Sequence, residues 1–371
     1  MKLSRVFLFS IVLIVFCLNS NKYLPGSGTT PSTFTYEAKY WKKIDNDVQC
    51  LLCPFRCVLK DGQKGNCRVR INIKGKLYTL VYGRVVAKNV DPIEKKPVFH
   101  MLPGTTAYSI ATVGCNLRCK FCQNWQISQS NPEEVNSEYL SPQDVVLNAI
   151  KLNCKSIAYT YSEPVVFYEY VLDTAKLAKK NGLKNILVTG GFINPEPLKE
   201  LLQYFDVIKV DLKGFNEKFY EEVVSGDLQC VLNTLLTIKK NSKVIIEVVN
   251  LVVPGLNDSF TDIKKMCKWI KENLGSDTPL FFSKFYPNYK LRNLPETPIL
   301  TLEKCRDIAL KEGLNYVYIG NVVGHPGEST YCPKCKKNLI KRLGYDVLEN
   351  NIVKGKCKFC GNKIPGIWEG D

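Results

Sequence analysis

Sixteen cysteines against two histidines constrain this chain of 371 residues more than any other feature. Eleven of them fall in three clusters: Cys50, Cys53, Cys57 and Cys67; Cys115, Cys119 and Cys122; and Cys332, Cys335, Cys357 and Cys360. A chain with 45% apolar residues builds a core without so many thiols. Thiols two residues apart are metal ligands more often than disulfide partners, and metal-bound thiolates belong in a reducing compartment. Cys154, Cys230, Cys267 and Cys305 lie in helical or strand patterns and read as small buried hydrophobes. With only His100 and His325 present, histidine-rich metal sites and most histidine-based catalysis are not expected; both read as core or loop residues.

From residue 107 onward, apolar runs alternate with helical patterns. Strands are expected over 107–113, 156–161, 185–190, 206–212, 243–253 and 280–286, with helices between and after them and a strand pair around Lys74-Gly75-Lys76. Six such repeats call for an α/β fold of parallel strands joined by right-handed crossovers, and their spacing fits a partial (β/α)6 barrel. Polar residues follow the strand ends in succession: Cys115, then Glu163, Gly190-Gly191, Asp211 with Lys213, Asn250 and Tyr286. One polar turn at one strand end is ordinary. Six in a row, with a thiol triplet among them, mark a common site on the face where β/α barrels assemble chemistry.

The spacing of each cluster restricts its metal. Cys115, Cys119 and Cys122 form C-x3-C-x2-C. Three thiolates cannot complete a tetrahedral zinc site, so a zinc knuckle would lack its fourth ligand. They can hold a 4Fe-4S cluster and leave one iron open. Cys332-x2-Cys335 and Cys357-x2-Cys360 supply four thiolates, the usual closed set of a structural zinc ribbon, with mononuclear iron the weaker competitor. Cys50, Cys53, Cys57 and Cys67 are also four, in C-x2-C-x3-C-x9-C, and suit either zinc or an auxiliary cluster.

The triplet directly after the first barrel strand resembles the signature of the radical S-adenosylmethionine superfamily. The likeness covers nearly the whole chain after residue 47. Cys50-Leu-Leu-Cys-Pro-Phe-Arg-Cys57, Gly65-Asn-Cys-Arg-Val-Arg70, Tyr159-Thr-Tyr-Ser-Glu-Pro164, Asp211-Leu-Lys-Gly-Phe215, Val253-Pro-Gly-Leu-Asn-Asp258 and Tyr318-Ile-Gly-Asn-Val322 carry it. In these motifs the chain resembles the radical enzymes of the AmmeMemoRadiSam system, which are similar to pyruvate formate-lyase activating enzymes. The resemblance implies a 4Fe-4S cluster, S-adenosylmethionine as cofactor, a one-electron donor such as flavodoxin or ferredoxin, and a protein, peptide or small-molecule substrate. It also implies that Glu163 meets the cofactor's ammonium and Lys213 its carboxylate, with Asp211, Gly190, Gly191, Asn250 and Tyr286 in the same site. The chain departs from the pattern in two places. Thr189-Gly190-Gly191 stands where Thr-Asn-Gly is expected, and Phe282 and Tyr286 stand where the family tends to carry histidine.

The net charge of +16 is spread along the chain and reads as a solvated basic surface. A metal-stapled nucleic-acid-binding protein is the alternative function, but no groove of alternating aromatic and basic residues is visible, so nucleic acid is not an expected partner. Residues 6–18 are almost continuously apolar after Lys2 and Arg5, too short to span a bilayer, which takes roughly 20 residues. They read as a signal-like or membrane-anchor segment, with the catalytic part expected in the cytoplasm. The chain then divides into that segment (1–20), a linker (21–46), a Cys-rich module (47–100), the barrel (101–322) and a zinc-ribbon-like tail (323–371).

Overall fold

Apolar, β-branched runs such as Ile245–Val252 can be buried on both faces, which suits them to the interior of a parallel sheet. The computed structural model describes residues 35–241 and 243–369 and builds such runs into one eight-stranded sheet. Its strands are β1 (Ala87–Pro92), β2 (Thr106–Ala111), β3 (Ser156–Tyr159), β4 (Lys184–Thr189), β5 (Val207–Asp211), β6 (Ile245–Val252), β7 (Leu280–Lys284) and β8 (Val317–Gly320). Their order across the sheet is their order along the chain. β2 to β8 run parallel, and β1 lies antiparallel on β2.

Helices fill the crossovers that parallel strands require. They are α1 (Pro142–Lys151), α2 (Tyr168–Lys180), α3 (Pro195–Leu201), α4 (Leu228–Asn241), α5 (Phe260–Leu274) and α6 (Ile299–Lys311). The start of α1 is fixed by a capping box, in which Ser141 Oγ accepts from Asp144 N and the Asp144 carboxylate accepts from Ser141 N. The six expected β/α repeats are all present. Two strands extend them: β8, too short to give a periodic signal, and β1, whose Asn-Val-Asp-Pro end lacks an apolar run.

The expected strand pair is the hairpin Arg70–Ile73 and Lys76–Thr79, turning at Lys74 and Gly75, both with positive φ. Tyr36–Glu37 adds a third strand to it, and Trp41–Ile44 pairs with Asp47–Cys50. Both elements fall in the span read as linker. The N-terminal module is anchored on the helices: Arg70 and Glu169, both buried, pair at 3.1 Å, and the Tyr40 and Tyr168 hydroxyls donate to Glu200 at 2.7 and 2.8 Å. The signal-like segment 1–20 and residues 21–34 lie outside the described residues. Among those described, no helix is long and apolar enough to cross a membrane.

The tail forms an antiparallel sheet of Thr330–Tyr331, Asn338–Leu343 and Asp346–Asn350. It shares one apolar core with Phe99, Phe281 and Tyr318 at the N-terminal ends of the barrel strands. His100 is part of this floor: its Nε2 lies 2.8 Å from Tyr318 Oη and its Nδ1 2.7 Å from Pro365 O, and burial pulls its pKa down to about 4. His325 sits in a loop, 3.1 Å from Glu303.

Candidate active site

The C-terminal ends of β2 to β6 converge on the loop that follows β2. Gly114 opens it at φ +107, and a Cβ there would meet Val69 Cγ1 at 2.7 Å and Cys67 O at 3.0 Å. Only glycine allows that approach. The loop is held by backbone bonds from Arg118 N to Val224 O and from Lys120 N to Val223 O, both 2.9 Å. Within it, Leu117 N–H donates to Cys115 Sγ at 3.3 Å, and Ser128 Oγ lies 3.1 Å from Cys122 Sγ. Cys119 is buried; Cys115 and Cys122 are half-buried. Burial and the nearby Glu163 push the Cys115 thiol up, while burial raises Cys119 to about 12 against the pull of Lys213. Buried thiols of this kind give up their protons to a metal rather than to water. A three-thiol loop with a backbone N–H donating to one sulfur and a hydroxyl beside another therefore fits an iron–sulfur cluster with one open iron.

Glu163 N-caps the short turn Pro164–Phe167, opposite the cysteine loop. Its carboxylate accepts from Thr189 Oγ1 (2.6 Å), Val165 N (3.1 Å) and Gly190 N (2.8 Å). Burial raises its pKa, and these donors and Lys213 oppose the rise. A Cβ on Gly190 would lie 2.8 Å from Leu117 Cδ1 and 3.3 Å from Glu163 Oε2, so the glycine lets β4 reach both loop and carboxylate. Gly191, at φ +72, donates its N–H to Thr189 Oγ1 at 3.0 Å.

At the end of β5, Asp211 is bracketed by two ammonium groups, Lys209 and Lys213, the latter at 2.7 Å. Burial works against the Asp211 charge, but these lysines hold its pKa down to about 2. Lys213 is likewise opposed by burial, yet Asp211 and the Cys119 thiol hold it well above the ordinary lysine value. On β6, Asn250 Nδ2 donates to Leu212 O at 2.8 Å, and its Oδ1 is buried without a partner. Such an acceptor is costly unless a ligand supplies a donor. Tyr286 stands at the rim, 41% exposed, donating to Asn321 O at 2.9 Å.

The fold thus gathers the cysteine triplet, Glu163, Gly190, Asp211 and Lys213, with Asn250 beneath and Tyr286 outermost. The sequence does not assign Lys209 and Ser128 to the site, and it marks Thr189 only as part of the Thr189-Gly190-Gly191 departure, not as a donor to Glu163. Lys209 carried a usable signal, a charge alternating with Asp211 inside an otherwise apolar strand.

Cys332, Cys335, Cys357 and Cys360 lie far along the chain from this mouth, and their sulfurs all fall within 4.8 Å of one another. Cys332–Cys360 and Cys335–Cys357 are each 3.7 Å apart. An ion with four bonds of about 2.3 Å places tetrahedral sulfurs about 3.8 Å apart, so this quartet fits a single metal ion.

The sequence model of the Radical SAM superfamily matches residues 109–270, from β2 into α5. The uncharacterized protein MJ0808 of Methanocaldococcus jannaschii is 46% identical over 88% of this chain and 98% of its own length. Residues 109–270 carry a radical SAM domain, and the chain belongs to one family with MJ0808. The pyruvate formate-lyase 1-activating enzyme of Escherichia coli is 32% identical over 39% of this chain and 60% of its own. A radical SAM methyltransferase from Sphaerobacter thermophilus superposes with a TM-score of 0.48 at 13% identity, over 68% of this chain and 76% of that one. The radical SAM α/β fold and a cysteine-rich metal-binding group are thus both present in this chain.

Proposed function

We propose that this chain is a radical enzyme that binds a 4Fe-4S cluster through Cys115, Cys119 and Cys122 and cleaves S-adenosylmethionine. The observation that carries the reading is an incomplete thiol set between a buried carboxylate and a buried ammonium. When bound, the cluster supplies one electron for reductive cleavage of S-adenosylmethionine to methionine and a 5′-deoxyadenosyl radical. The protein's part is positional. Glu163 keeps lone pairs beyond its three internal donors and takes the cofactor's ammonium. Lys213 spends one donor on Asp211 and offers the others to the carboxylate. Asp211 positions Lys213, Gly190 and Gly191 admit the ligand to the backbone, and Asn250 Oδ1 accepts from it. Tyr286 takes the place of a histidine as a donor at the rim. No general acid or base is assigned, since hydrogen-atom abstraction does not need one.

The finer reading is an enzyme of the AmmeMemoRadiSam type, acting in the cytoplasm on a protein or peptide and fed by a flavodoxin or ferredoxin. It is supported by the sequence motifs and by relatives named as activating enzymes of pyruvate formate-lyase. The tail quartet holds zinc in this reading, supported by its sulfur spacing. The nucleic-acid-binding alternative finds no support in the relatives. The test is anaerobic reconstitution, reduction with dithionite and chromatography for 5′-deoxyadenosine. No such product from a fully loaded sample would sink the proposal.

A further inference from the structure

Cys50, Cys53, Cys57 and Cys67 line one cavity together with Arg70 and Asn116. The cavity lies where the N-terminal module meets the loop of the active site. Asn116 is the chain neighbour of Cys115; it lines the cavity, and its Nδ2 donates to Phe192 O at 2.8 Å. Gly114 packs on Cys67 O, and Arg118 donates to both Cys115 O (2.9 Å) and Asn66 O. The two cysteine sets are therefore one residue apart across a locked contact.

Two features separate this quartet from the one in the tail. The tail sulfurs crowd within 4.8 Å, and among the described residues no other group of ligand atoms is as compact. Four thiolates around a single ion must crowd in that way, whereas thiolates that each bind a different iron of a cluster stand further apart. The second feature is a buried donor. Arg70 is 1% exposed, lines the cavity and has an Nε–H without a partner. An unpaired buried donor beside four thiols suits an anionic group whose sulfurs accept hydrogen bonds.

We propose that Cys50, Cys53, Cys57 and Cys67 hold a second iron–sulfur cluster, complete in its four protein ligands, that relays single electrons to the cluster of the Cys115 loop. Having no open iron, it is not a substrate site. A one-electron protein reductant of the flavin or iron–sulfur class reduces it. It is reoxidised as the electron moves on, and no bond or proton changes place. The relay rests on the redox reading of the Cys115 loop; the presence of the cluster does not.

The test begins with metal counting on the full chain after anaerobic reconstitution. The wild type should carry about eight irons with matching sulfide, and the variant with Cys115, Cys119 and Cys122 all changed to Ala should keep about four. A wild type with about four irons and two zincs, or a triple variant without iron, would overturn the assignment. Since variants of Cys53 or Cys67 can fail to fold, the relay is tested in the wild type. After mixing with a reduced ferredoxin, freeze-quenched EPR should show a signal insensitive to S-adenosylmethionine appearing before the signal that S-adenosylmethionine shifts. The reverse order would overturn the relay. If the triple variant keeps its irons while the wild type makes no 5′-deoxyadenosine, the quartet assignment stands and the reaction assigned above falls.

Discussion

The two ends of the barrel strands both carry buried charge and both carry cysteines, yet they use them differently. At the floor, the Glu247 carboxylate is fully buried and accepts from the backbone N–H groups of Phe99 and His100 at 2.9 to 3.1 Å. Arg342 is covered there by the Phe99 ring, donates to Thr330 Oγ1 at 2.8 Å and lies 3.6 Å from Glu94. The tail then closes over these groups with a quartet of thiols already at single-ion spacing. At the mouth, the thiols number three, Asn250 Oδ1 has no partner, and Lys213 and Glu163 keep unused hydrogen-bonding capacity. Unpaired polar atoms alone do not separate the two ends, since Glu94 Oε2 and Arg342 Nε at the floor also lack hydrogen-bond partners; the number and spacing of the thiols do.

The largest effect that would sharpen this contrast is on the tail metal. Cys332→Ser with Cys357→Ser should remove the ion. It should also unfold residues 332–368 in hydrogen exchange, since structural zinc contributes on the order of 10 kcal/mol to such modules. Iron content should stay unchanged; its loss would show that the two ends are not independent. Next comes the ion pair that joins the N-terminal module to α2. Arg70→Met leaves Glu169 buried and unpaired and should lower stability by about 3–5 kcal/mol in chemical denaturation. A change below about 1 kcal/mol would mean that the pair is not what holds the module.

The third prediction sets the floor carboxylate against pH. Burial raises the Glu247 pKa to about 7, above an unfolded value of 4.5. The folded state then binds the extra proton between these values, so its contribution is present below pH 4.5 and is lost as pH rises through about 7. The loss is about 3 kcal/mol. Melting curves of the wild type should fall across that window relative to Glu247→Gln, and parallel curves would refute the assignment. The smallest effect belongs to the mouth. Glu163→Gln should weaken S-adenosylmethionine binding by about 1.5–3 kcal/mol in calorimetry, with unchanged iron. Equal affinity would remove Glu163 from the cofactor site.

Sequence carried the mouth better than the floor. The strand ends that hold Cys115, Glu163 and Asp211 announce themselves by polarity after apolar runs, because a parallel sheet leaves its chemistry to the turns. Glu247 sits inside a strand, where one charge in an apolar run does not say whether it will find backbone donors or an ion pair. β8 spans only four residues, and its place beside β7 is set by packing rather than by periodicity. The tail quartet was visible as spacing. Its burial against Phe99 and Phe281 was not, since contacts between residues some fifty to more than two hundred positions apart leave no local pattern.

Residues 364–368 return to the start of the sheet. Ile367 pairs with Met101, its N–H donates to His100 O at 2.9 Å, its carbonyl accepts from Leu102 N at 2.7 Å, and Trp368 packs against the His100 ring. Because strand order follows chain order, a ribosome can lay down β1 to β8 one beside the next, each finding its neighbour already made. The floor is the exception. Phe99 and His100 emerge well over two hundred residues before the segment that covers them, so the base of the nascent sheet stays uncovered until residues 330–368 have been made.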